Sequence, residues 1–432
     1  MLKQLILENW KSFRYAELPL DPLTVVIGTN ASGKSNVVEA LEFLQRIARG
    51  ENIEAALAGD KRLNSIRGGI EWAALQNETQ FTLKVLVNGE EENIDYLYVI
   101  KIQTLPVIKV IEEYIECKKI NGSENNNVKR YTIKNSDFNS ISSLRYLYSD
   151  IKDIRPENLI PDMVHADRNA FKTNPNLLEE ILDKKDNYQD IANEYLILKN
   201  KAKKYIIASL ENTLVLNPIP SKMRDYSRLS DVIENDASNI AGVLATLPHD
   251  HKVEVESTLS TYLKDLPEGD IQKVWAEKVG RFGTDAMLYC QEQWKPGHIT
   301  EIDARSMSDG TLRFLAILTA LLTRPEGSQL VIEEIDNGLH PSRAELLVRI
   351  LREIGSKRKI DILLTTHNPA LLDALGPEIV PFVVVAHRDK ETGESKLTLL
   401  EDIENLPLLL ASGTLGKLAT KGAIEKSLSD NK

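Results

Sequence analysis

Short apolar runs separated by polar turns fill the first 117 residues of the chain. Residues 1–9 have the pattern of a strand, and residues 23–27, Leu-Thr-Val-Val-Ile, form a second apolar run of strand length. An amphipathic helix is predicted soon afterwards, over residues 36–48. Three further apolar runs follow, at residues 80–87, 94–103 and 107–117. These three runs predict consecutive antiparallel strands.

Helical spacing dominates the middle of the chain. Helices are predicted at residues 176–214, 236–247 and 253–263, and prolines at 218 and 220 follow the first of them. No heptad pattern holds for several repeats, so no long coiled coil is expected. Strand–helix alternation of the α/β kind returns toward the C-terminus. The pattern therefore divides the chain into three zones, residues 1–117, 118–290 and 291–432.

A glycine-rich segment joins the second apolar run to the first predicted helix. Residues 28–35 read Gly-Thr-Asn-Ala-Ser-Gly-Lys-Ser, which matches the phosphate-binding pattern G-x-x-x-x-G-K-[ST] in its strand–loop–helix setting. Gly28 and Gly33 let backbone N–H groups turn toward a polyphosphate, and Lys34 reaches the β- and γ-phosphates. The hydroxyl of Ser35 is a ligand for Mg²⁺. The segment predicts a nucleotide-binding P-loop.

Two carboxylates follow an apolar run in the third zone. Residues 330–332, Leu-Val-Ile, lead directly into Glu333 and Glu334. P-loop proteins use a buried strand of this kind to bring acids to the metal and to the attacking water. On this hypothesis Glu333 serves Mg²⁺, and Glu334 orients or deprotonates the water. A strand that simply ends in solvated acids is the alternative.

Two more segments of the third zone carry groups suited to phosphate. The apolar run at residues 360–367 ends in His367, which beside a P-loop could donate a hydrogen bond to a γ-phosphate oxygen. A histidine with a purely structural role is the alternative. Ser308 and Gly310 precede a predicted helix at residues 312–322, whose N-terminus would be a second anion-binding end.

Composition and charge limit the classes of protein. The net charge of −11 argues against a chain that coats nucleic acid, although basic runs near residues 199–204, 224–228 and 357–359 leave local contact with DNA or RNA open. Cys117 and Cys290 are far apart and predict neither a disulfide framework nor a zinc site. No membrane-spanning run and no signal-peptide pattern is found, so a cytoplasmic protein without a membrane partner is expected.

The order and spacing of these segments resemble the ABC-type ATPases of the RecF/SMC branch. The segments that carry the likeness are Leu-Glu-Asn-Trp-Lys-Ser-Phe at 7–13, the P-loop with Asn30, Ser32 and Asn36, Asp-Ala-Ser-Asn-Ile-Ala-Gly-Val-Leu at 236–244, Ser-Asp-Gly-Thr-Leu-Arg at 308–313, the acid-ended strand, Asn-Gly-Leu-His-Pro at 337–341 and Thr-Thr-His-Asn-Pro at 365–369. Within the branch, the chain most resembles the compact AAA-labelled ATPases of bacterial anti-phage defence and of the overcoming-lysogenisation-defect type.

The resemblance implies a fold and a mechanism. The implied fold is an α/β P-loop NTPase, an ABC ATPase head with an antiparallel β lobe, residues 1–117, a mostly helical insertion, 118–290, and a C-terminal lobe, 291–432. Two heads would sandwich two ATP molecules with Mg²⁺, so a homodimer or higher even oligomer is implied. The residues that would hold the nucleotide in one subunit are Gly28, Asn30, Ser32, Gly33, Lys34, Ser35 and Asn36. Ser308 and Gly310 of the other subunit would close over the γ-phosphate, Glu334 would activate water, and His367 would steady the γ-phosphate.

The chain also departs from the family pattern. Glu333 stands where the family usually has Asp, which puts metal placement and turnover in doubt, and Ile335 replaces the usual proline. The Q-loop is not plain in this sequence, and Gln76 and Gln80 are only candidates for its amide. The role implied is an ATP-gated clamp or sensor in DNA maintenance or anti-phage defence, acting with a separately encoded effector. The alternatives are an ATP-controlled scaffold with vestigial hydrolysis and, less in keeping with the motifs, a transporter-associated nucleotide-binding subunit.

Overall fold

The structure, a computed structural model, describes residues 1–61, 63–91, 93–119, 127–132, 144, 185–267, 270–295, 297–338 and 340–430. The chain packs into two units, which are not continuous in sequence. Unit 1 contains residues 1–20, 39–211 and 394–396, and unit 2 contains residues 21–38, 212–393 and 397–432. None of the described helices is long and apolar enough to cross a bilayer.

Strands and helices are numbered along the described part of the chain. The strands are β1 (Leu2–Trp10), β2 (Phe13–Pro19), β3 (Leu23–Ile27), β4 (Gln80–Asn88), β5 (Ile94–Gln103), β6 (Lys109–Lys119), β7 (Asn127–Thr132), β8 (Thr213–Leu216), β9 (Ser227–Arg228), β10 (Ile271–Val279), β11 (Asp285–Lys295), β12 (His298–Asp303), β13 (Gln329–Ile332), β14 (Asp361–Thr365), β15 (Val383–Arg388) and β16 (Ser395–Leu399). The helices are α1 (Lys34–Ala48), α2 (Ile53–Ala58), α3 (Lys185–Glu211), α4 (Pro220–Met223), α5 (Ile240–Thr246), α6 (His249–Lys264), α7 (Asp309–Thr323), α8 (Ala344–Arg358), α9 (Pro369–Leu375), α10 (Leu406–Ser412), α11 (Leu415–Thr420) and α12 (Ala423–Asp430). Short 3₁₀ turns lie at Pro341–Arg343, Pro377–Phe382 and Leu400–Asp402.

Unit 1 is built on an antiparallel sheet with the strand order β2-β1-β4-β5-β6-β7. Its core contains an aromatic cluster in which the Trp10 and Phe81 rings meet edge to face at a centroid distance of 4.9 Å. Phe43 of α1 lies 6.0 Å from Phe81, also edge to face, and all three rings are buried. Edge-to-face packing is favourable because it brings the positive ring edge to the negative ring face. The three consecutive antiparallel strands predicted between residues 80 and 117 are confirmed as β4, β5 and β6.

A parallel sheet forms the centre of unit 2. The strand order is β16-β15-β3-β14-β13-β8, and β3 pairs in parallel with both β14 and β15. The carboxyl ends of β3, β13, β14 and β15 therefore lie along one edge of the sheet. Helix α7 is apolar along most of its length, is almost fully buried, and packs against α8, α6 and α4. This edge is where open α/β sheets bind their ligands.

Unit 2 also contains a second, antiparallel sheet that the sequence pattern did not predict. Strands β10, β11 and β12 pair in order, and β9 pairs with β11. Apolar residues such as Val274, Ala276 and Leu288 face the core at every second position. Strands β9 and β10 and the first part of β11 lie within the zone, residues 118–290, that was expected to be mostly helical. Period-two alternation over the nine to eleven residues of β10 and β11 favours strands there.

Two other predicted boundaries differ from the structure. The helix predicted at 176–214 is α3, which ends at Glu211, and residues 176–184 lie outside the described residues. The run Thr213–Leu216 instead forms β8, because its β-branched and apolar side chains are buried beside β13. The apolar run at residues 380–385 also predicts a strand, but β15 begins only at Val383, after a 3₁₀ turn that contains Pro381. The three-zone division stays a prediction.

Candidate functional site

The P-loop has the backbone of an anion-binding turn. Gly28, Ala31 and Gly33 have φ values of 143°, 63° and 109°, and α1 begins at Lys34. A Cβ atom on Gly28 would lie 2.1 Å from the carbonyl oxygen of Ala386, so only glycine fits there. Because left-handed positions turn successive N–H groups inward, this segment forms a concave donor surface at a helix N-terminus.

Ser32 adds a polar atom to the same surface. Its side chain is 1% exposed, and its hydroxyl has no hydrogen-bond partner within the described residues. A buried hydroxyl without a partner is costly, and a phosphate oxygen is an acceptor of suitable chemistry. The loop that carries Ser32 therefore fits a polyphosphate, in agreement with the motif.

Lys34 is buried and holds the loop from inside. Its ammonium donates to the carbonyl oxygens of Gly28 at 2.7 Å and Thr29 at 2.9 Å. Burial lowers the pKa of Lys34, and nearby carboxylates oppose that shift. In descending order of effect these belong to Glu334, Asp336, Glu333 and Glu425. The P-loop lysine thus faces the acids that follow β13.

The chain turns sharply where β13 ends. Glu334 is exposed and has a φ of 46°, a left-handed conformation that is strained for a residue with a side chain. Its backbone N–H donates to the hydroxyl of Thr365 at 2.8 Å, and its carbonyl accepts from Asn337 at 2.7 Å. These bonds hold the carboxylate of Glu334 at the edge of the sheet, on the strand next to β14.

His367 lies one strand closer to the P-loop. It follows β14, and the next residue, Asn368, caps α9 by accepting from the N–H of Ala370 at 2.9 Å. The ring is 55% exposed, and its Nδ1 lies 4.0 Å from a carboxylate oxygen of Asp336. The hydroxyl of Thr366 donates to the other oxygen of Asp336. The buried carboxylate therefore lies near the imidazole, beyond hydrogen-bond distance.

Asp336 was not predicted as a site residue. It is the second residue after the paired acids Glu333 and Glu334, and this position is the signal in the sequence that could have identified it. The contact with Thr366 depends on the adjacency of β13 and β14, which spacing alone does not reveal. The structure thus adds Asp336 and Thr365 to the residues around the predicted acids.

Ser308 and Gly310 lie at the start of α7, which begins at Asp309, three residues before the predicted start at residue 312. The hydroxyl of Ser308 accepts from the N–H of Thr311 at 3.1 Å and lies 2.8 Å from the Thr311 hydroxyl, so Ser308 is the N-cap of its own helix. A Cβ on Gly310 would lie 2.8 Å from the guanidinium of Arg343. Ser308 makes its hydrogen bonds at this helix start and not with the P-loop. Leu339, part of the segment at 337–341, lies outside the described residues.

The candidate metal ligands are Ser35 and Glu333. Ser35 is the second residue of α1, and Glu333 directly follows β13. Among the described residues, no group of three or more His, Cys, Asp or Glu side chains is arranged to hold a metal ion. A Mg²⁺ ion in a P-loop site takes few protein ligands and completes its shell with phosphate and water oxygens.

The candidate Q-loop region belongs to unit 1. There Glu39 of α1 pairs with the ammonium of Lys11 and, at 2.6 Å, with the guanidinium of Arg67. The ammonium of Lys11 also donates to the carbonyl of Arg67 at 2.7 Å, and burial lowers the pKa of Lys11. The choice between Gln76 and Gln80 stays a prediction.

Two of the candidate basic residues are too deeply buried to contact the phosphates of a nucleic acid. Lys199 and Lys203 are 3% and 1% exposed, and burial lowers the pKa of Lys203 to about 7. Lys201 forms an ion pair with Glu90. Of the four lysines in this stretch of α3, Lys204 is the exposed one without such a pair in the described structure.

Comparison with known proteins places these features in a family. A family model described as "AAA domain, putative AbiEii toxin, Type IV TA system" matches residues 23–373. One similar solved structure is an SMC head bound to the C-winged helix domain of ScpA, with 13% sequence identity over 92% of this chain and 97% of that chain. A second is an Smc head with an extended coiled coil bound to the C-terminal domain of ScpA from Pyrococcus furiosus, with 14% identity over 95% of this chain and 99% of that chain. A third is an SMC head from Thermotoga maritima, with 13% identity over 92% of this chain and 98% of that chain. Their TM-scores are 0.48, 0.46 and 0.41. A comparison with curated proteins gives no match.

The family match confirms the AAA-labelled ATPase family that the motifs predicted, and the combination of antiparallel and parallel sheets with helices confirms the predicted fold class. The matched segment, residues 23–373, contains the P-loop, the start of α7, the paired acids and His367. It covers well over half of the chain. The chain therefore belongs to the family described as "AAA domain, putative AbiEii toxin, Type IV TA system".

Proposed function

We propose that the protein is a Mg²⁺-dependent ATPase that binds ATP at the P-loop and hydrolyses it at the carboxyl edge of the parallel sheet. The observation that carries the proposal is the placement of the buried Lys34 inside a left-handed loop and opposite Glu334. A cation that holds phosphate and a carboxylate that accepts a proton are the two groups that phosphoryl transfer to water requires of the protein.

Lys34 would exchange its two loop carbonyls for phosphate oxygens. It donates to the carbonyl oxygens of Gly28 and Thr29, so its ammonium lies within the loop. The backbone N–H groups of the loop and the hydroxyl of Ser32 would bind the same phosphates. Mg²⁺, held by the hydroxyl of Ser35 with Glu333 nearby, would supply charge neutralisation at the phosphate oxygens.

Glu334 would orient water and take its proton. Its side chain is exposed at the sheet edge, while its backbone is fixed through Thr365. His367 would donate a hydrogen bond to the γ-phosphate, and the carboxylate of Asp336, 4.0 Å from the Nδ1 of His367, places its negative charge beside the ring. Each group acts by position and charge, since phosphoryl transfer needs little covalent chemistry from the protein.

Ser308 and Gly310 support a dimeric site. Ser308 is exposed at the N-terminus of α7, where its own hydrogen bonds stay within that helix start. A helix N-terminus attracts anions, so this end suits the γ-phosphate of a nucleotide held by a second copy. We therefore propose a homodimer or higher even oligomer. A cytoplasmic location, expected from the sequence, is part of the same proposal.

The biological role proposed is an ATP-gated clamp or sensor with a separately encoded effector. The family description, which names a toxin–antitoxin system, supports a partner-dependent role in defence. Contact with DNA or RNA stays part of this proposal. An ATP-controlled scaffold with little hydrolysis is the second candidate, because Glu333 replaces the usual Asp.

ATP hydrolysis and light-scattering mass test the proposal together. Glu334→Gln should reduce turnover by about 10²–10⁴-fold, the usual contribution of a general base. The same variant should accumulate an ATP-bound dimer or larger species. Glu326→Gln, an exposed acid at the opposite edge of the sheet, is the matched control and should behave as wild type. A wild-type protein that changes mass with ATP but does not hydrolyse it would favour the scaffold. A wild-type protein that shows neither hydrolysis nor a mass change would refute the nucleotide site.

A further inference from the structure

Arg388 stands at the end of β15, directly beside the P-loop. Strand β15 pairs in parallel with β3, with Val384 opposite Val26 and Val385 opposite Ile27. The next residue, Ala386, directs its carbonyl oxygen at Gly28. Two residues later the strand ends in Arg388, whose side chain is exposed.

The guanidinium of Arg388 contacts the loop itself. Its Nε–H donates to the carbonyl oxygen of Ala31 at 2.9 Å. Ala31 is exposed and left-handed, with a φ of 63°, at the tip of the P-loop. Within the described part of the chain this is the one hydrogen bond of Arg388, so the N–H groups of its two terminal nitrogens are open to a ligand.

The strand order separates Arg388 from the proposed catalytic groups. Strands β14 and β13 lie on one side of β3, and β15 lies on the other. Glu334 and His367 follow β13 and β14, so the γ-phosphate belongs on that side. The opposite side of the loop, where Arg388 stands, is left for the α-phosphate and the ribose of the same nucleotide.

We propose that Arg388 is a nucleotide-binding residue that contacts the α-phosphate–ribose end of the bound nucleotide. The proposal rests on the proposed function, in which the P-loop binds ATP. An arginine suits this role because its planar guanidinium can donate two parallel hydrogen bonds to phosphate oxygens. The guanidinium of Arg388 donates to a loop carbonyl, that of Ala31, as the ammonium of Lys34 donates to those of Gly28 and Thr29.

Equilibrium binding of ADP and of a non-hydrolysable ATP analogue tests the proposal. Arg388→Ala and Arg388→Gln should each weaken both nucleotides by about 10- to 100-fold, the value of a hydrogen bond to a charged group. The two nucleotides should lose affinity equally, because they share the α-phosphate and the ribose. Arg388→Lys should retain part of the affinity, since it keeps the charge but loses the two-pronged geometry.

Arg388→Gln separates binding from a structural role. Glutamine keeps an N–H donor for the carbonyl of Ala31 but carries no charge. Wild-type affinity in Arg388→Gln would mean that Arg388 only braces the loop, and a loss confined to the ATP analogue would place it at the γ-phosphate. Either result overturns the proposal. Arg349→Ala removes an exposed arginine paired with Asp265 and is the matched control, with affinity unchanged. Wild-type protein that binds neither nucleotide would instead refute the proposed function, and the inference with it.

Discussion

Replacing Gly28 with alanine should disrupt the junction of β3, β15 and the P-loop. The new Cβ would lie 2.1 Å from the carbonyl oxygen of Ala386 and 2.9 Å from the hydroxyl of Ser32. Real Cβ atoms do not approach backbone oxygen so closely, so either β15 or the loop must move. Because β15 is held to β3 by its ladder, we expect the loop to lose its shape.

The cost of Gly28→Ala has two parts. The φ of 143° is outside the range that alanine adopts, which costs about 1–3 kcal/mol. The steric overlap adds about 1–3 kcal/mol, the usual penalty for overpacking a buried site. The sum is about 2–6 kcal/mol. For a domain of a few hundred residues, each kcal/mol lowers the unfolding midpoint by roughly 2–4 °C.

Gly393→Ala provides the matched control. Gly393 also has a positive φ, 73°, but a Cβ there meets no atom within 4 Å, so it isolates backbone strain from steric overlap. Thermal unfolding and ADP binding should be measured for both variants. Gly28→Ala should unfold about 2–12 °C below Gly393→Ala, because the steric overlap of about 1–3 kcal/mol is the part that the control lacks, and it should also lose ADP affinity. Equal midpoints together with wild-type ADP affinity in both variants would refute the close approach of β15 to the loop.

Three further substitutions have defined outcomes. Asp336→Ala removes the acceptor of the buried Thr366 hydroxyl and should lower the free energy of unfolding by about 1–3 kcal/mol. Asp336→Asn keeps an acceptor and should unfold at a clearly higher temperature than Asp336→Ala, and equal unfolding midpoints would contradict the contact. Burial lowers the pKa of Lys203 to about 7. Between about pH 7 and the ordinary lysine pKa the unfolded chain therefore binds more protons than the folded chain, and the free energy of unfolding rises with pH. Lys203→Met should therefore raise the unfolding midpoint more at pH 7.5 than at pH 10, and a pH-independent gain would count against a neutral buried amine. Ser308→Ala removes an N-cap worth about 1 kcal/mol and should also weaken any ATP-dependent dimer; unchanged mass profiles would argue against its role between subunits.

The local part of the site was readable from the sequence because each of its signals is continuous in the chain. The P-loop needs glycines and a lysine at fixed spacing, and β4 and β5 show unbroken runs of strand-forming residues, so their positions followed directly. The start of α7 was likewise predicted close to Ser308, because a serine before an apolar helical run is a cap.

The remaining features depend on contacts between distant segments. The contact of Asp336 with Thr366 exists because β13 and β14 are neighbours, and no spacing rule gives that pairing. The burial of Lys203 follows from the packing of α3 on the unit 1 sheet, although lysine is a residue usually found exposed. Strands β10 and β11 were not predicted, because the segments on either side of them, α6 and α7, have helical spacing.

The left-handed backbone at Glu334 sets stability and turnover against each other at one position. Glycine adopts a φ of 46° without strain, so it is the residue that the backbone there favours, and asparagine tolerates it better than glutamate. Both would abolish the carboxylate that the proposed reaction needs. A survey of substitutions scored by abundance would therefore rank glycine at 334 above the native residue, while one scored by ATP turnover would reverse the order. A glutamate in a costly backbone conformation is consistent with the catalytic role proposed for Glu334.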